Sequence, residues 1–356
     1  MSWTKKTKIF FIITIFIVIL FIGFNYLSSI VIKKRFANAP SAEFVKFYEK
    51  YKNELNHLRD PRGEHIKIVT DLMYTTLGNG KNEILIQGDS WGEQFLQKDS
   101  LKNLKKFNNG MFTFILAGIS SYSPSLFTVQ LRKLKEDFNF NPEYIFTIID
   151  QTDIGDEICR YQNYRRYKNE NLIVLPYENF TNQTYETYKP LERWKIVSSN
   201  SLSSVKVFKL AFFKIEELFN NNKNIGCSWT DISYPLVNGI DKFQEELFAN
   251  NLNEYIEKVF ENKKTKGLYI LTHPHKSHFT SGYKLNVYDL VKKITKNNSY
   301  KNNIKLLDVY KFAKLSNKSL DEKNIFKEND IASHVKDSYH AEIFTKYIYE
   351  ILNENY

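Results

Sequence analysis

The N-terminal part of this 356-residue chain contains a stretch that very few structures can accommodate. From Ile9 to Ile32 there are 24 residues without a charged side chain, dominated by Ile, Phe, Val and Leu. As a helix they would extend about 36 Å, enough to cross a bilayer. Within hydrocarbon a single segment must satisfy its own backbone hydrogen bonds, which a helix does. Residues 9–32 therefore predict a transmembrane helix inside an N-terminal anchor, residues 1–35.

A cleaved signal peptide is the alternative interpretation of this segment, because residues 37–39 (Ala-Asn-Ala) resemble a cleavage site. The apolar run exceeds the 7 to 15 residues of a usual signal core, and the basic residues 33–35 separate it from that site. We therefore expect an uncleaved anchor. Basic residues flank both ends, so charge does not decide orientation. A single span ahead of one large soluble domain favours a domain outside the cytoplasm.

Composition excludes some function classes. The net charge of +10 comes mostly from Lys among Asn, a pattern typical of solvated loops. No nucleic-acid-binding motif accompanies this charge, so no nucleic-acid partner is predicted. Cys159 and Cys227 lack metal-ligand spacing. We expect two partly buried thiols, with one disulfide as the alternative if the domain lies in an oxidising compartment.

Beyond residue 80, short apolar runs alternate with helix-prone segments. This alternation predicts an α/β fold with a mainly parallel sheet between two helical layers. Residues 36–80 are predicted to form a stalk or first helix, and residues 81–356 the domain, with an insertion at about 178–266 that packs against the sheet. The predicted strands are residues 83–88, 111–118, 144–150, 171–177, 267–274 and 303–310, and the predicted helices include 92–106, 205–219, 245–260 and 341–352.

Two short motifs contain residues that could be catalytic, one after the first predicted strand and one before the last predicted helix. Gly88-Asp89-Ser90 follows the first strand, and ligands bind beyond the carboxyl ends of parallel strands. Asp337 and His340 are three residues apart, directly before the last predicted helix. An Asp that orients a His, which takes a proton from a Ser, is the logic of acyl transfer. Each motif alone is more typical of a turn or a helix cap; together they predict a catalytic triad.

An alternative base is also present in the sequence. His334 lies four residues after Asp330. We rank this pair below His340 because His340 is at the entrance of the final helix.

The order and placement of these motifs resemble the SGNH (GDSL-like) family of serine esterases and acyl or acetyl transferases, which have a three-layer α/β/α fold. The resemblance implies that Ser90 is the nucleophile, His340 the base and Asp337 its partner. It also implies that the N–H groups of Ser90 and Gly118 form part of an oxyanion hole, and that no cofactor is required.

The third block departs from the family pattern. The family usually has G-x-N-D here, and this chain has Asp150-Gln151-Thr152-Asp153. By alignment Thr152 replaces the Asn and can donate one hydrogen bond, or Gln151 can donate if the turn is shifted. Losing one oxyanion donor costs on the order of 100- to 1,000-fold in rate, so this departure lowers the expected efficiency.

The segment 273–279 contains three His residues, and His273 and His275 have a spacing that can bind metal. No Cys or well-placed carboxylate completes such a site, so no metal is predicted. The preferred interpretation is a loop that contacts substrate, followed by a buried structural His.

The sequence thus predicts a membrane-anchored serine esterase or O-acyltransferase. By analogy with family members outside the membrane, its substrate would be an ester-bearing carbohydrate of the cell envelope. The alternatives are a catalytically weak or inactive glycan-binding or assembly module, and a structural domain in which the motifs are only turns.

Overall fold

A computed structural model describes residues 5–36, 45–46, 74–108, 110–174, 193, 195–219, 227–280, 282–316, 321 and 324–356. The described chain belongs to two compact units. One contains the N-terminal helix and a helix from the predicted insertion, and the other contains the sheet and the remaining helices. Most of the predicted stalk, residues 36–80, lies outside the described residues.

The α/β unit is built on a six-stranded sheet in the order β1-β3-β2-β4-β7-β8. The edge strand β1 is antiparallel to β3, and the other neighbours are parallel. The predicted α/β class with a mainly parallel sheet is therefore confirmed. The strands of this sheet are β1 (Thr75–Leu77), β2 (Asn82–Gly88), β3 (Phe112–Gly118), β4 (Tyr144–Ile148), β7 (Gly267–Thr272) and β8 (Ile304–Asp308).

The predicted strand 171–177 does not join this sheet. Asn171–Val174 (β6) instead pairs antiparallel with Arg165–Lys168 (β5) in a separate two-stranded sheet. The short apolar run matched a core strand in composition, but two residues in a tight turn with positive φ, Asn169 and Glu170, make it the second half of a hairpin.

The helices are long enough to cover both faces of the sheet. In the α/β unit they are α2 (Lys98–Phe107), α3 (Pro124–Phe138), α5 (Trp229–Asn238), α6 (Lys242–Phe260), α7 (Val287–Lys296), α8 (Val309–Ser316) and α9 (Thr345–Asn355). The other unit contains α1 (Lys5–Arg35) and α4 (Ser203–Phe219). Shorter helical turns lie at Ser90–Glu93, Gln94–Leu96, Asp153–Asp156, Glu157–Tyr161, Gln162–Tyr164, Lys276–Thr280, Lys301–Asn303, Asp337–Tyr339 and His340–Phe344.

Alternate residues of the central strands face opposite helical layers, as the two-residue period of a strand requires. Ile84 and Ile86 belong to one core cluster with Ile348 of α9. Gln87 points to the other face, where its amide donates to Gln130 of α3 at 2.7 Å and its oxygen accepts from Tyr255 of α6 at 2.8 Å. The sheet is thus covered on both sides, with a polar network inside one layer.

Helix α4 differs from its predicted place. The sequence interpretation packed the whole insertion against the sheet, and α6 does contact α3 in the α/β unit. Helix α4 instead contacts α1. Among the described residues, α1 is the one helix long and apolar enough to cross a membrane, although a signal sequence has the same character.

The two cysteines form a disulfide. Cys159 and Cys227 have Cα atoms 5.9 Å apart, within the range of bonded pairs. The expectation of two thiols was therefore wrong, and the alternative of one bridge holds. Only the folded chain brings together two residues separated by 68 positions.

The strand order reverses direction at β2. The chain moves from β2 to β3 on one side and then crosses to β4 on the other side. This reversal leaves a crevice beyond the carboxyl ends of β2 and β4, which is where ligands bind in open α/β sheets. Gly88-Asp89-Ser90 and residues 149–153 both lie at this end.

Candidate active site

Ser90 begins a short helix directly beyond β2 and is partly exposed. Asp89 caps this helix, since its Oδ1 accepts the Trp91 N–H at 2.9 Å. The helix passes very close to the sheet, because a Cβ atom at Gly118 would lie 2.1 Å from the Gly92 carbonyl carbon. Gly at this position therefore permits the turn that presents the Ser90 hydroxyl at the strand end.

Ser90 is in contact with a histidine from the far end of the chain. The Ser90 Oγ atom lies 2.7 Å from His334 Nε2, and His334 Nδ1 lies 2.7 Å from Asp330 Oδ2. A carboxylate can only accept, so Nδ1 carries the proton toward Asp330 and Nε2 is left to accept from Ser90. The structure thus brings Ser, His and Asp into one hydrogen-bonded line.

The loop that carries His334 is held by its own backbone. Asp330 Oδ1 accepts the Ala332 N–H at 2.8 Å, while Phe326 and Val335 form an isolated antiparallel bridge. The Gln94 side-chain amide donates to the Val335 carbonyl at 2.8 Å. This last bond ties the loop to the segment that follows Ser90, which holds the imidazole opposite the hydroxyl.

The structure corrects the predicted base and its partner. His340 is fully buried, with Nδ1 3.0 Å from Ser100 Oγ and its ring against Phe95 and Phe344. Burial lowers the pKa of His340 to about 3. Asp337 instead forms a partly exposed ion pair with Lys327 at 2.7 Å.

The reason for this correction is geometric. A D-x-x-H spacing at a helix start places both side chains near one another along the chain, but the helix determines which direction they face. Here the inward position that holds His340 points into the core under the final helix. The alternative pair, Asp330 and His334, is the one that reaches Ser90. The D-x-x-x-H spacing was the sequence signal for it.

The third block also differs from its predicted role. Thr152 is buried, and its hydroxyl and N–H both donate to Asp150 Oδ2. Gln151 is buried, donates to the His273 carbonyl at 3.0 Å and accepts the Val287 N–H at 3.1 Å. Both side chains are therefore engaged by protein partners: the Thr152 hydroxyl has no second proton to donate, and the Gln151 side chain is buried.

His273 and His275 are not a substrate-contacting loop in this structure. His273 is buried, with its ring nitrogens 2.7 Å from the Pro274 carbonyl and 3.1 Å from the Tyr339 hydroxyl. This is the buried structural His of the second sequence interpretation. Burial lowers the pKa of His273 to about 3. His275 is fully buried, with Nε2 2.5 Å from Asp150 Oδ1. Its ring is stacked on Trp91 at 5.5 Å. The sequence analysis missed this second Asp–His pair, because 125 residues separate its members.

A buried group of carboxyls lies beside Ser90. Asp89, Asp150 and Asp153 each have a carboxylate oxygen within 4.8 Å of the others. Among the residues that the structure describes, this is the one group of carboxylates and imidazoles spaced closely enough to hold a metal ion. Asp150 already accepts from His275 and Thr152, however, so its lone pairs are partly used by the protein.

The carboxyls of this group have opposite pKa shifts. Burial, reinforced by the Asp150 charge, raises the pKa of Asp89 well above its usual range. Burial and the neighbouring carboxylates raise the pKa of Asp153 in the same way. Burial also raises the pKa of Asp156 to about 7, although Arg160 lies 2.9 Å away. For Asp150 burial acts in the same direction, but the charge and hydrogen bond of His275 outweigh it and lower the pKa to about 2.

A protonated Asp89 would complete the hydrogen-bond line at Ser90. Ser90 Oγ lies 3.1 Å from Asp89 Oδ2 as well as 2.7 Å from His334. A hydroxyl has only one proton to donate. With that proton directed to His334, the Asp89 contact is a hydrogen bond only if Asp89 donates, which agrees with its raised pKa.

These shifts predict how stability depends on pH. Below about pH 4 the carboxyls with raised pKa values, Asp89, Asp153 and Asp156, are protonated in both the folded and the unfolded chain. As the pH rises the unfolded chain ionises first, while the buried carboxyls with raised pKa retain their protons, so the free energy of unfolding falls until the folded pKa is passed. The Asp156 pKa of about 7 places this fall between about pH 4 and pH 7.

Asp153→Asn is expected to flatten this dependence. The substitution removes one buried ionisable group and the repulsion that it exerts on Asp89, while Asn can still fill the space. Urea unfolding of the native and variant chains at several pH values measures the effect, since the linear extrapolation gives the free energy at each pH. Equal pH slopes for the two proteins would contradict the assignment of the raised pKa values.

Comparison with known proteins assigns no family. No protein-family model and no curated protein matches the chain. Similar solved structures include a catalytic mutant of Axe2, an acetylxylan esterase from Geobacillus stearothermophilus, with 11% identity and a TM-score of 0.37 over 77% of this chain and 94% of that chain. Another is LAE5, an α/β hydrolase enzyme from the metagenome of Lake Arreo, Spain, with 10% identity and a TM-score of 0.38 over 77% and 96%.

A third is the acetyl xylan esterase Est2A from Butyrivibrio proteoclasticus, with 6% identity and a TM-score of 0.34 over 78% of this chain and 65% of that chain. TM-scores of this size assign neither a family nor an activity. The SGNH resemblance therefore stays a prediction from the sequence motifs, and the function must be argued from the site itself.

Proposed function

We propose that the α/β unit is a serine esterase or acyltransferase that works through an acyl-enzyme on Ser90. The observation that carries this proposal is the line of two 2.7 Å contacts from Ser90 Oγ to His334 and from His334 to Asp330. It lies at the carboxyl end of the central strand, where one side of the serine is open to solvent. This arrangement has the roles and geometry of a catalytic triad.

The proposed chemistry moves one proton back and forth. His334 Nε2 takes the Ser90 proton as Oγ attacks an ester carbonyl, and Asp330 stabilises the imidazolium that forms. The C–O bond to the leaving alcohol then breaks, and His334 gives its proton to that oxygen. Water, or the hydroxyl of an acceptor, attacks the acyl-enzyme by the same route. The N–H groups of Ser90 and Gly118 are the proposed oxyanion donors.

We further propose that residues 9–32 anchor the protein in a membrane and that the α/β unit lies outside the cytoplasm. The apolar helix α1 supports the anchor. The Cys159–Cys227 disulfide supports the location, because such bonds persist mainly in oxidising compartments. In this place the proposed substrate is an ester-bearing glycan of the cell envelope, a proposal made by analogy with the SGNH family.

Asp330→Asn tests the triad against its sequence-predicted rival. Asn can direct an amide N–H at His334, which would favour the wrong tautomer, so we expect the rate of Ser90 labelling by a fluorophosphonate probe to fall on the order of 100- to 10,000-fold. Asp337→Asn is the matched control. Its ion pair with Lys327 is partly exposed and is worth at most about 1 kcal/mol of stability, so the labelling rate should be unchanged.

The labelled residue is identified by mass spectrometry, with Ser90→Ala as the blank. Ser100 is an internal control, because it also contacts a histidine but is fully buried. A larger loss in Asp337→Asn than in Asp330→Asn would refute the proposed triad. A folded native protein that does not label would favour the binding-module alternative.

A further inference from the structure

Helix α4 has an apolar face that the fold leaves exposed. Val205, Phe208, Phe212 and Ile215 follow one another at helical spacing and are 40%, 74%, 64% and 51% exposed. Positions three and four apart lie on the same side of a helix, so these residues form one stripe, which also carries the exposed Lys209. A stripe of this kind in water would be a large unfavourable apolar patch.

Another side of α4 packs against α1, and the contact between the two helices includes polar as well as apolar groups. The Ser204 N–H donates to Asn25 Oδ1 at 3.0 Å, and Ser28 of α1 is 3% exposed. Asn25 and Ser28 are three residues apart, within the uncharged stretch 9–32. The polar groups of α1 therefore face its partner helix, while apolar neighbours such as Tyr26 and Leu27 stay exposed.

The buried polar groups and the exposed apolar residues are the reverse of what a water-soluble helix pair shows. Two helices in water bury apolar residues and expose polar ones. Helices within a membrane place small and polar residues at their contact and apolar residues toward lipid. Asn25 lies eight positions before Lys33, or about 12 Å along the helix, so its contact with α4 is at the depth of the span.

The two helices run side by side toward the basic end of α1. Beyond the contact at Asn25, α4 and α1 form a groove. Leu210 and Ile32 line this groove, together with Arg35 and Arg193. Basic side chains at this level suit the phosphate groups of a lipid surface. The first half of the stripe, Val205 and Phe208, is thus level with the uncharged stretch of α1, and the second half, from Phe212, is level with its basic residues.

We propose that α4 is a second membrane-embedded element, which lies beside α1 with Val205 and Phe208 in contact with the acyl chains of a phospholipid bilayer and with Phe212 and Ile215 at the level of its head groups. This inference rests on the proposed membrane anchor. It adds to that anchor a segment from the middle of the chain, so that the protein is held to the membrane at two points of its sequence.

The test measures the environment of spin labels in the full-length protein in phosphatidylcholine and phosphatidylglycerol vesicles. Single cysteines replace Phe208 or Phe212, with Ile22→Cys as the lipid reference and Lys242→Cys as the aqueous reference. The native chain, whose two cysteines are bonded, is the unlabelled blank. Each variant must unfold at the temperature of the native protein. Collision with oxygen reports lipid, and collision with a water-soluble nickel complex reports solvent.

At Phe212 we expect a ratio of oxygen to nickel accessibility between the Lys242 and Ile22 values, and at Phe208 a ratio equal to the Ile22 value. A ratio equal to that of Lys242, with Ile22 still in lipid, would overturn the inference and leave the anchor intact. Exclusion of both reagents would also overturn it, since protein would then cover the stripe. A solvent-exposed Ile22 would show that the anchor itself fails, and the inference with it.

Discussion

His334→Ala is expected to lower the rate of fluorophosphonate labelling and of ester hydrolysis by about 10⁴- to 10⁶-fold, the loss seen when the base of a serine triad is removed. Without His334, Asp89 is the one described side chain that remains within hydrogen-bond distance of Ser90 Oγ. Asp89 cannot substitute as the base if burial keeps it protonated. The full-length chain in detergent, compared at equal concentrations of folded protein, is sufficient for the measurement.

His340→Gln is the matched control for this prediction. Gln keeps a polar group near Ser100, and the Ser90 hydroxyl is hydrogen-bonded to His334 and Asp89, so the labelling rate should stay within about tenfold of the native value. The cost should appear in stability instead, on the order of 1 to 3 kcal/mol for a disturbed buried hydrogen bond. Loss of labelling in His340→Gln with retention in His334→Ala would restore the original sequence assignment.

Replacing both Cys159 and Cys227 with Ser is expected to lower the free energy of unfolding by about 4 kcal/mol. The bridge closes a loop between residues 68 positions apart, and a loop of that length removes about this much chain entropy from the unfolded state. Urea unfolding of the two proteins gives the difference directly.

Reduction of the native protein supplies the control. In a thiol reductant its unfolding midpoint should fall to that of the double Ser variant, and the variant should not respond. A native protein that is equally stable with and without reductant would mean that the two cysteines are not bonded in solution. It would also remove the main support for a location outside the cytoplasm.

Several features of the fold were predictable because they depend on local patterns. The strands β2, β3 and β4 were identified from the short apolar runs at residues 83–88, 111–118 and 144–150. The hydroxyl of Ser90 was placed at a strand end for the same reason. The strand predicted at 171–177 shows the limit, since composition does not say which sheet a short run will join.

The candidate site required information that no local pattern contains. Ser90 and His334 are 244 residues apart, and both D-x-x-H and D-x-x-x-H spacings were available near the C-terminus. The choice between them depends on which way the final helix faces, and the core takes His340 inward. Asp150 accepts hydrogen bonds from both His275 and Thr152, so the Thr152 hydroxyl is not available to an oxyanion. The contact of Asp150 with His275 depends on β4 lying beside β7.

By itself the sequence determined that this chain has an apolar helix able to span a membrane, an α/β domain and a serine at the end of a central strand. These follow from the length of an uncharged run and from the periods of helix and strand, which neighbouring residues set. The tertiary structure decided that His334 and Asp330 contact Ser90, that Cys159 bonds Cys227, and that α4 packs against α1. Each of these is a contact between distant segments, and it exists only after the intervening chain has packed.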